Sequence, residues 1–523
     1  MGSHARPVFK DRNTPLLQID PSRLAKGSRG IAARVDGASG SGDGYRKRGK
    51  RRPTESLGLS SIQVLEALVA FAGLWEQGER YDSLVPERSV GRPLCITGAC
   101  VVLYEFAAAA CGSLRRAERE FRDAGVWERL MRAVEASAPL HPDRRLPSSP
   151  PSRSQFHRFR RRYLCDDDEA EEVRLLSSAL AVDAARALGA LDPSKGSVTR
   201  PDPANVVVGD ATWLPAMYNR PPDDRLYDEH GVRTRRIDPD AVSLKPGDMV
   251  VGRHVVSVLA GTTNVNETLV LDIAIKPERG SDADMFVEMV RKLLPVADVK
   301  AAVYDMAIDA ENHDDLLRMG VASISKTPRD SKGEPSTRRL GDHRFRLADG
   351  TTRHLPVAAV DGWASIALVT PDGERQVALD VTQLKVREFK KGHTWNMVCT
   401  VPDHPDVPKR FRNATTIVRL NSTDDEIARN ARRTTALRAF AEGSATFDQL
   451  FGLRESTESM HHHLKSTLPN RRARCVGRVR WQLMLCAYQS LRTVTALIAW
   501  HYRTGGDLSP WFGEWRPPPR HTG

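Results

Sequence analysis

The sequence predicts an α/β protein whose central mixed sheet follows a helical region and is interrupted by a β-rich segment. Three observations carry this. Between about 57 and 200 the apolar residues recur at helical spacing. From 204 the pattern becomes strand, strand, strand, helix, strand, helix, strand. From about 327 to 425 short strands follow one another with turn residues between them, and helices then resume.

At 523 residues the chain is long enough for two to four domains. Its hydrophobic fraction of 40% and charged fraction of 28% fit a soluble protein. No run of about 18 apolar residues reads as a membrane span, and no apolar signal core follows the N-terminal charges. The seven cysteines are odd in number, scattered and never spaced C-x-x-C, so neither a disulfide framework nor a zinc ribbon is indicated. A reducing cytoplasm fits best. Lys plus Arg exceed Asp plus Glu by 78 to 66, a net charge of +12, which modestly favours a polyanionic partner.

Residues 1–56 are rich in Gly, Ser and Arg and read as a disordered basic tail. Its cluster Arg46, Lys47, Arg48, Lys50, Arg51 and Arg52 suits either a DNA backbone or water. In 57–200, "SSIQVLEALVAFAGLWEQ" has the helical period. A second helix is broken by Gly112, and Ser113 is placed to cap a third that carries Arg115, Arg116, Arg119 and Arg122. A helix, a turn and an Arg-rich helix suit a helix-turn-helix DNA reader, while Glu118 and Glu120 also allow an ordinary amphipathic helix. A further basic run, Phe156 to Leu164, interleaves aromatics with arginines. Then "ANVVVGDATWL", "RHVVSVLAGT" and "ETLVLDIAIKP" read as strands, "DADMFVEMVRKLLP" as a helix, "VKAAVYDMA" as a strand, "ENHDDLLRMG" as a helix and "VASISK" as a strand. "RFRLADG", "TRHLPVAAV", "ASIALVTPDG", "RQVALDVTQLKV" and "NMVCTV" are the short strands of 327–425, and "VRWQLMLCAYQSLRTVTALIAWHYR" is a long core helix.

Two acids are expected at the ends of adjacent strands, Asp210 in "VVVGDA" and Asp305 in "AAVYDMA". A carboxylate after a buried apolar run is costly unless it is paired or binds a cation, and strand ends are where open α/β sheets place ligands. A third element, "FGLRESTESMHHHLK", spaces Phe451, Arg454, Glu458 and Lys465 by 3, 4 and 7 residues. On one continuous helix these fall within an arc of ~60°, so a carboxylate is flanked by two cations. That arrangement suits a phosphate-handling metal site, although Arg454 and Glu458 also fit a plain i, i+4 salt bridge.

At this point the chain resembles the DDE transposases of bacterial insertion sequences, in the branch whose last acid lies in a Tyr-x2-Arg-x3-Glu-x6-Lys helix. Here the pattern reads Phe451-x2-Arg454-x3-Glu458-x6-Lys465, with Phe in place of Tyr and one hydroxyl fewer for phosphate. The first Asp on the first strand, the second on the fourth and a β-rich segment before the Glu also agree. The resemblance covers about 90 to 505 and implies an RNase H-like catalytic domain. It places that domain at 201–326 and 426–505, with a β-rich insertion at 327–425, a helical DNA-binding domain at 57–200 and a C-terminal tail at 506–523. It implies that Asp210, Asp305 and Glu458 hold two Mg2+ ions, replaceable by Mn2+, about 3.5–4 Å apart for cleavage and strand transfer. Arg454, Lys465, Phe451, Arg471, Arg472 and the Arg115, Arg116, Arg119 helix would contact DNA, and the basic run continuing through Arg474, Arg478 and Arg480 would extend the track. The partners implied are double-stranded element ends and target DNA, with a homodimer as the active form and a cytoplasmic, nucleoid-associated location. Two other classes share these residues: a DNA-binding relative that no longer cuts, and a nuclease of the same fold without strand transfer.

Lesser candidates complete the reading. Glu455 is a neighbouring acid that breaks the signature, and Asp309 reads as the start of the next helix. His461, His462 and His463 diverge by ~100° each on a helix and do not all face one ion. Trp363 and Trp395 lie in the β-rich segment, where an aromatic would stack on a flipped base or simply fill the core; Trp395 is the preferred stacking residue.

Overall fold

The run Val206, Val207, Val208 begins the central strand, and its buried β-branched side chains favour an extended backbone. The computed structural model describes residues 57–86, 96–140, 142–219, 238, 240–244, 249–262, 264–370, 373–405 and 407–519. The N-terminal basic cluster Arg46 to Arg52 lies outside them. The described chain divides into two compact units, one of 57–308 with 450–519 and the other of 309–449.

The first unit opens with helices α1 (Ser61–Ala70), α2 (Ala72–Ser83), α3 (Gly98–Cys111), α4 (Leu114–Arg122), α5 (Ala124–Ser137), α6 (Arg153–Tyr163) and α7 (Asp167–Ala187). α3 is apolar and buried almost throughout. It ends at Gly112, whose φ of 81° is left-handed and suits glycine, and Ser113 Oγ then accepts from Arg116 N to start α4. The two helices meet at 108°. A buried pair ties α6 to α3, with Arg160 Nε 3.2 Å from Glu105 Oε1.

The strands of this unit are β1 (Val206–Pro215), β2 (Val242–Ser243), β3 (Val251–Ala260), β4 (Val270–Ile275) and, after α8 (Asp282–Leu293), β5 (Ala301–Val303). β1 pairs antiparallel with β3, and β2 and β4 share the other edge of β3. On its free side β1 pairs parallel with β5, Val206 against Ala301 and Val208 against Val303. β1 was expected to end at Asp210, but it continues to Pro215 because β3 stays paired with it along that whole length.

The second unit holds α9 (Ala310–Arg318), β6 (Ala322–Ile324), β7 (Thr337–Arg346), β8 (Thr352–Val360), β9 (Trp363–Thr370), β10 (Gly373–Ala378), β11 (Asp380–Phe389), β12 (Gly392–Thr400), β13 (Thr415–Arg419) and α10 (Asp424–Ala428). Asp309 caps α9 through Asn312 N, the helix-starting role expected of it. Seven strands form an antiparallel sheet in the order β10, β9, β8, β7, β13, β12, β11. The segment "RQVALDVTQLKV", expected as one strand, is two, because Leu379 turns inward and donates its N–H to Ala364 O.

After α11 (Ala445–Phe451) the chain forms α12 (Glu455–Ser466), α13 (Arg478–Thr504) and α14 (Ser509–Phe512). α12 and α13 cover one face of the first unit's sheet, where Leu214, Val255, Leu259 and Ile273 pack against Met460, Leu464, Trp481 and Tyr488. α7 lies on β4 and α13, and Arg174 reaches the buried Asp272 carboxylate at 3.5 Å. Among the described residues no single helix is long and apolar enough to cross a membrane.

On the opposite face of β1, Gly209 admits the Phe286 ring of α8: a Cβ there would lie 2.2 Å from the ring. Phe286 is itself stacked on Tyr304, with centroids 4.6 Å apart, so it has little room to retreat. Gly209→Ala is therefore expected to destabilise the protein by about 1–3 kcal/mol, read as a lower urea midpoint, and adding Phe286→Leu should recover part of the loss. A midpoint unchanged by Gly209→Ala would show that the ring yields freely.

Candidate active site

Side chains two residues apart on a strand share a face. Leu214 points into the core beneath α12 and α13, so Thr212 and Asp210 point the same way. Asp210 thus puts a carboxylate with only 13% side-chain exposure on a core-facing side, where it needs partners. Arg454 Nη2 lies at 3.5 Å from Oδ1, which also accepts from Ala211 N at 3.0 Å. Thr457 Oγ1 lies at 3.4 Å and His461 Nδ1 at 3.7 Å from Oδ2.

α12 supplies this row because Thr457, His461 and Lys465 recur every four residues and so lie on one stripe. Ser257, paired opposite Asp210 on β3, has its hydroxyl 3.1 Å from His461 Nε2. Lys465 Nζ donates to Thr212 Oγ1 at 2.7 Å. Burial pushes the His461 imidazole down to about 4, helped by the charges of Lys465 and Arg454. The ring is therefore neutral at pH 7, and its contact with Asp210 is a polar one rather than an ion pair. With the proton assigned to Nδ1, Nε2 accepts from Ser257. Burial, followed by the Arg471 charge, also lowers the Lys465 ammonium.

Asp305 lies two residues beyond β5, and Asp210 two residues beyond the last residue of β1 that β5 pairs with. The parallel register therefore carries both acids to the same end of the β1–β5 pairing. Tyr304 registers the same acids: burial first, then the charges of Asp305, Asp282 and Asp210, raise its phenol above the ordinary range. Asp305 Oδ1 accepts from Ala307 N at 2.8 Å.

Glu458 is 74% exposed, and its Oε1 lies 3.9 Å from Arg454 Nη1. One guanidinium thus links Asp210 to Glu458, and its Nε is buried with no acceptor among the described residues. Among the described residues no three His, Cys, Asp or Glu side chains are gathered as one ion's cage. The donors at hand are nonetheless carboxylate oxygens, and two of the three acids already share one positive charge, that of Arg454. An oxygen donor set of this kind suits Mg2+ or Mn2+.

The expected single helix from Phe451 to Lys465 is corrected. α11 stops at Phe451, a 3-10 turn occupies Gly452–Arg454, and only then does α12 begin. A 3-10 turn advances faster per residue than an α-helix, so the expected arc is not that of one regular helix. Arg454 and Glu458 still meet. Phe451 is half-buried, and Glu455 is exposed at the start of α12.

The cations differ in how available they are. Arg115, Arg116 and Arg119 are exposed on α4, which buries only Ala117 and Phe121. Glu118 does not neutralise them, since it binds Arg122 at 3.1 Å and Arg153 at 3.7 Å. Arg471 is exposed, and Arg472 is held by Asn219 Oδ1 at 2.6 Å and Ala216 O at 3.2 Å. Arg478 pairs with Asp167 at 3.7 Å. Arg474 leaves the expected DNA track, because its guanidinium turns inward to Ala108 O and Glu105 O near the end of α3. Trp395 is also corrected: it is fully buried, with Nε1 donating to Leu317 O at 2.6 Å, and presents no face to a base. Trp363 is half-buried.

His461, Ser257, Thr457 and Thr212 were missed. Their one sequence signal was the four-residue spacing of Thr457, His461 and Lys465, hidden inside a triple histidine that makes no common site: His461 faces Ser257, His463 faces Arg492 and His462 is exposed. A scan against protein-family models and a search of curated proteins both found no match to the chain.

The His461–Ser257 bond is testable by itself. His461→Phe, which leaves the buried Ser257 hydroxyl only its long 3.4 Å contact to Asp210 O, is expected to cost about 1–3 kcal/mol in urea denaturation. Combined with Ser257→Ala it should cost less than the sum of the two single changes. Strict additivity would show that the two side chains are not coupled.

Proposed function

We propose that the chain is a DDE transposase, which binds the ends of a DNA element and carries out metal-dependent strand cleavage and strand transfer on an RNase H-like fold. The observation that supports this is that Asp210 and Asp305 each follow, by two residues, the same end of the β1–β5 pairing, with Glu458 tied to Asp210 through Arg454. The sheet supports it, since an antiparallel meander of β1, β3 and β4 continues into a parallel β5 reached through α8.

Asp210, Asp305 and Glu458 are the residues that would hold two Mg2+ or Mn2+ ions. Such ions, when bound, supply Lewis-acid charge stabilisation for in-line displacement at phosphorus. The remaining work falls to side chains. Ala211 N donates to the Asp210 carboxylate, and Thr457, whose hydroxyl is engaged by Arg454 O at 2.7 Å, and His461 lie against its other oxygen. Arg454, through its part-exposed guanidinium, and Lys465, anchored on Thr212, hold DNA phosphates beside the scissile one. The 108° turn between α3 and α4 and the exposed arginines of α4 support a helix-turn-helix role in reading element ends. The active form would be a dimer that joins two ends.

The test is excision and transfer of a marker bracketed by the flanking DNA of this gene. Asp210→Asn, Asp305→Asn and Glu458→Gln should each lose more than the roughly 10–100-fold typical of an outer-shell change around a metal, with circular dichroism unchanged. Wild-type transfer by Glu458→Gln would overturn the proposal. Arg454→Ala and Lys465→Ala should each weaken binding to element-end DNA by roughly ten- to a hundredfold, the equivalent of about 1.5–3 kcal/mol. Each should also make the salt dependence shallower by about one phosphate. Equal slopes for variant and wild type would leave Arg454 as no more than a salt-bridge partner.

A further inference from the structure

The seven-stranded sheet of the 309–449 unit has one covered and one open face. The covered face carries Phe345, Trp395, Met397, Cys399 and Val418, all fully buried. The open face follows from the register. Thr415 of β13 lies opposite Arg346 of β7, so Arg346 and Arg344 share the side of exposed Ile417. On β12, Val398 lies opposite Ile417, while Asn396 and Thr394 lie opposite Lys385 and Arg387 of β11. Arg344, Arg346, Lys385 and Arg387 are exposed, and none has an ion pair among the described residues. Two acids share this face: Asp342, next to Arg344 along β7, is bridged to Arg339 at 3.4 Å, and Asp380 stands at the far end of β11, level with Arg346.

We propose that this open face grips the backbone of duplex DNA through Arg344, Arg346, Lys385 and Arg387. The two cation pairs stand on β7 and β11, three strand steps apart in the order β7, β13, β12, β11. At ~4.8 Å per step that is roughly 14 Å across the strands, and because Arg344 lies level with Gln383 and Asp342 level with Lys385 the pairs are also offset along them, so at ~3.4 Å per residue they stand on a diagonal of roughly 20 Å. Each pair meets backbone phosphates at its own point along the duplex. The strip between them carries Thr394, Asn396, Val398 and Thr415 together with the exposed Ile417 and with Arg419, whose Nε is turned to Asn421 O. Edge protection would account for Lys385 and Arg387, because β11 ends the sheet and charged edges deter strand pairing. It does not account for Arg344 and Arg346, because β7 is flanked on both sides, by β8 and β13. On these four strands Phe389 is the one aromatic residue of the open face, so the surface lacks the row of rings on which single-stranded bases stack. The inference rests on charge and register within this unit, not on the cutting chemistry proposed for Asp210.

The experiment titrates full-length chain against a short labelled duplex of arbitrary sequence at several salt concentrations. The variant R344Q/R346Q/K385Q/R387Q is expected to bind at least tenfold more weakly, with the slope of log affinity against log salt shallower by about 3 to 4, near 0.9 per phosphate contact. The charge-conserving R344K/R346K/K385R/R387R should keep the wild-type slope. If the fourfold Gln variant does not fold, R344Q/R346Q and K385Q/R387Q are read separately, each expected to lower the slope by about half as much. A wild-type chain that binds the duplex with this salt dependence but neither cuts nor transfers element-end DNA would count against the transposase reading and leave this one standing. Unchanged affinity and slope in the Gln variants, no duplex binding by the full chain, or binding to single strands alone would overturn the proposal.

Discussion

Asp210 leaves β1 on the face that Leu214 packs into the core, and a carboxylate there has to be given partners or a cation. Much of the first unit's site is the answer to that demand. α12 crosses the strand with Thr457 and His461 turned toward the acid, Ser257 fixes the histidine from β3, and Arg454 brings the opposite charge. None of these contacts is strong by itself. The salt bridge and the Thr457 contact are long, and His461 is neutral. A carboxylate held by weak contacts keeps its capacity for a stronger cation, as an ion-binding acid requires.

The same constraint explains why the site is built from distant pieces of chain. A parallel neighbour needs a crossover, so Asp305 is far from Asp210 in sequence although their strands adjoin. Glu458 arrives later still, on a helix that follows the whole second unit. Two carboxylates close together repel, and the guanidinium of Arg454 relieves that repulsion between Asp210 and Glu458.

Much of the architecture was legible from periodicity. The valine run of β1, the capping of α4 by Ser113 after Gly112, and the long apolar α13 each carry their structure in local pattern. What was illegible depended on partners. β1 continues past Asp210 only because β3 stays paired with it. The 3-10 turn before α12 has no marker in "FGLRES" other than one glycine. Trp395 reads equally well as a stacking ring or as core, and only the packing of α9 on β12 decides. The open cationic face could not be read beforehand, because placing Arg344 and Lys385 on one side requires the register of four strands. Asp210 and Asp305 stand out in the sequence by their buried approaches, whereas His461 does not, because its contacts with Ser257 and Asp210 come from distant chain.

The central claim is that Asp210 belongs to a cation site of oxygen ligands. Titrating Mn2+ into the full-length chain and following the free ion by electron paramagnetic resonance tests it without reference to any reaction. The account predicts saturable uptake that weakens by at least about tenfold in Asp210→Asn, as loss of a ligand requires. Superimposable titrations of the wild-type chain and Asp210→Asn would contradict it.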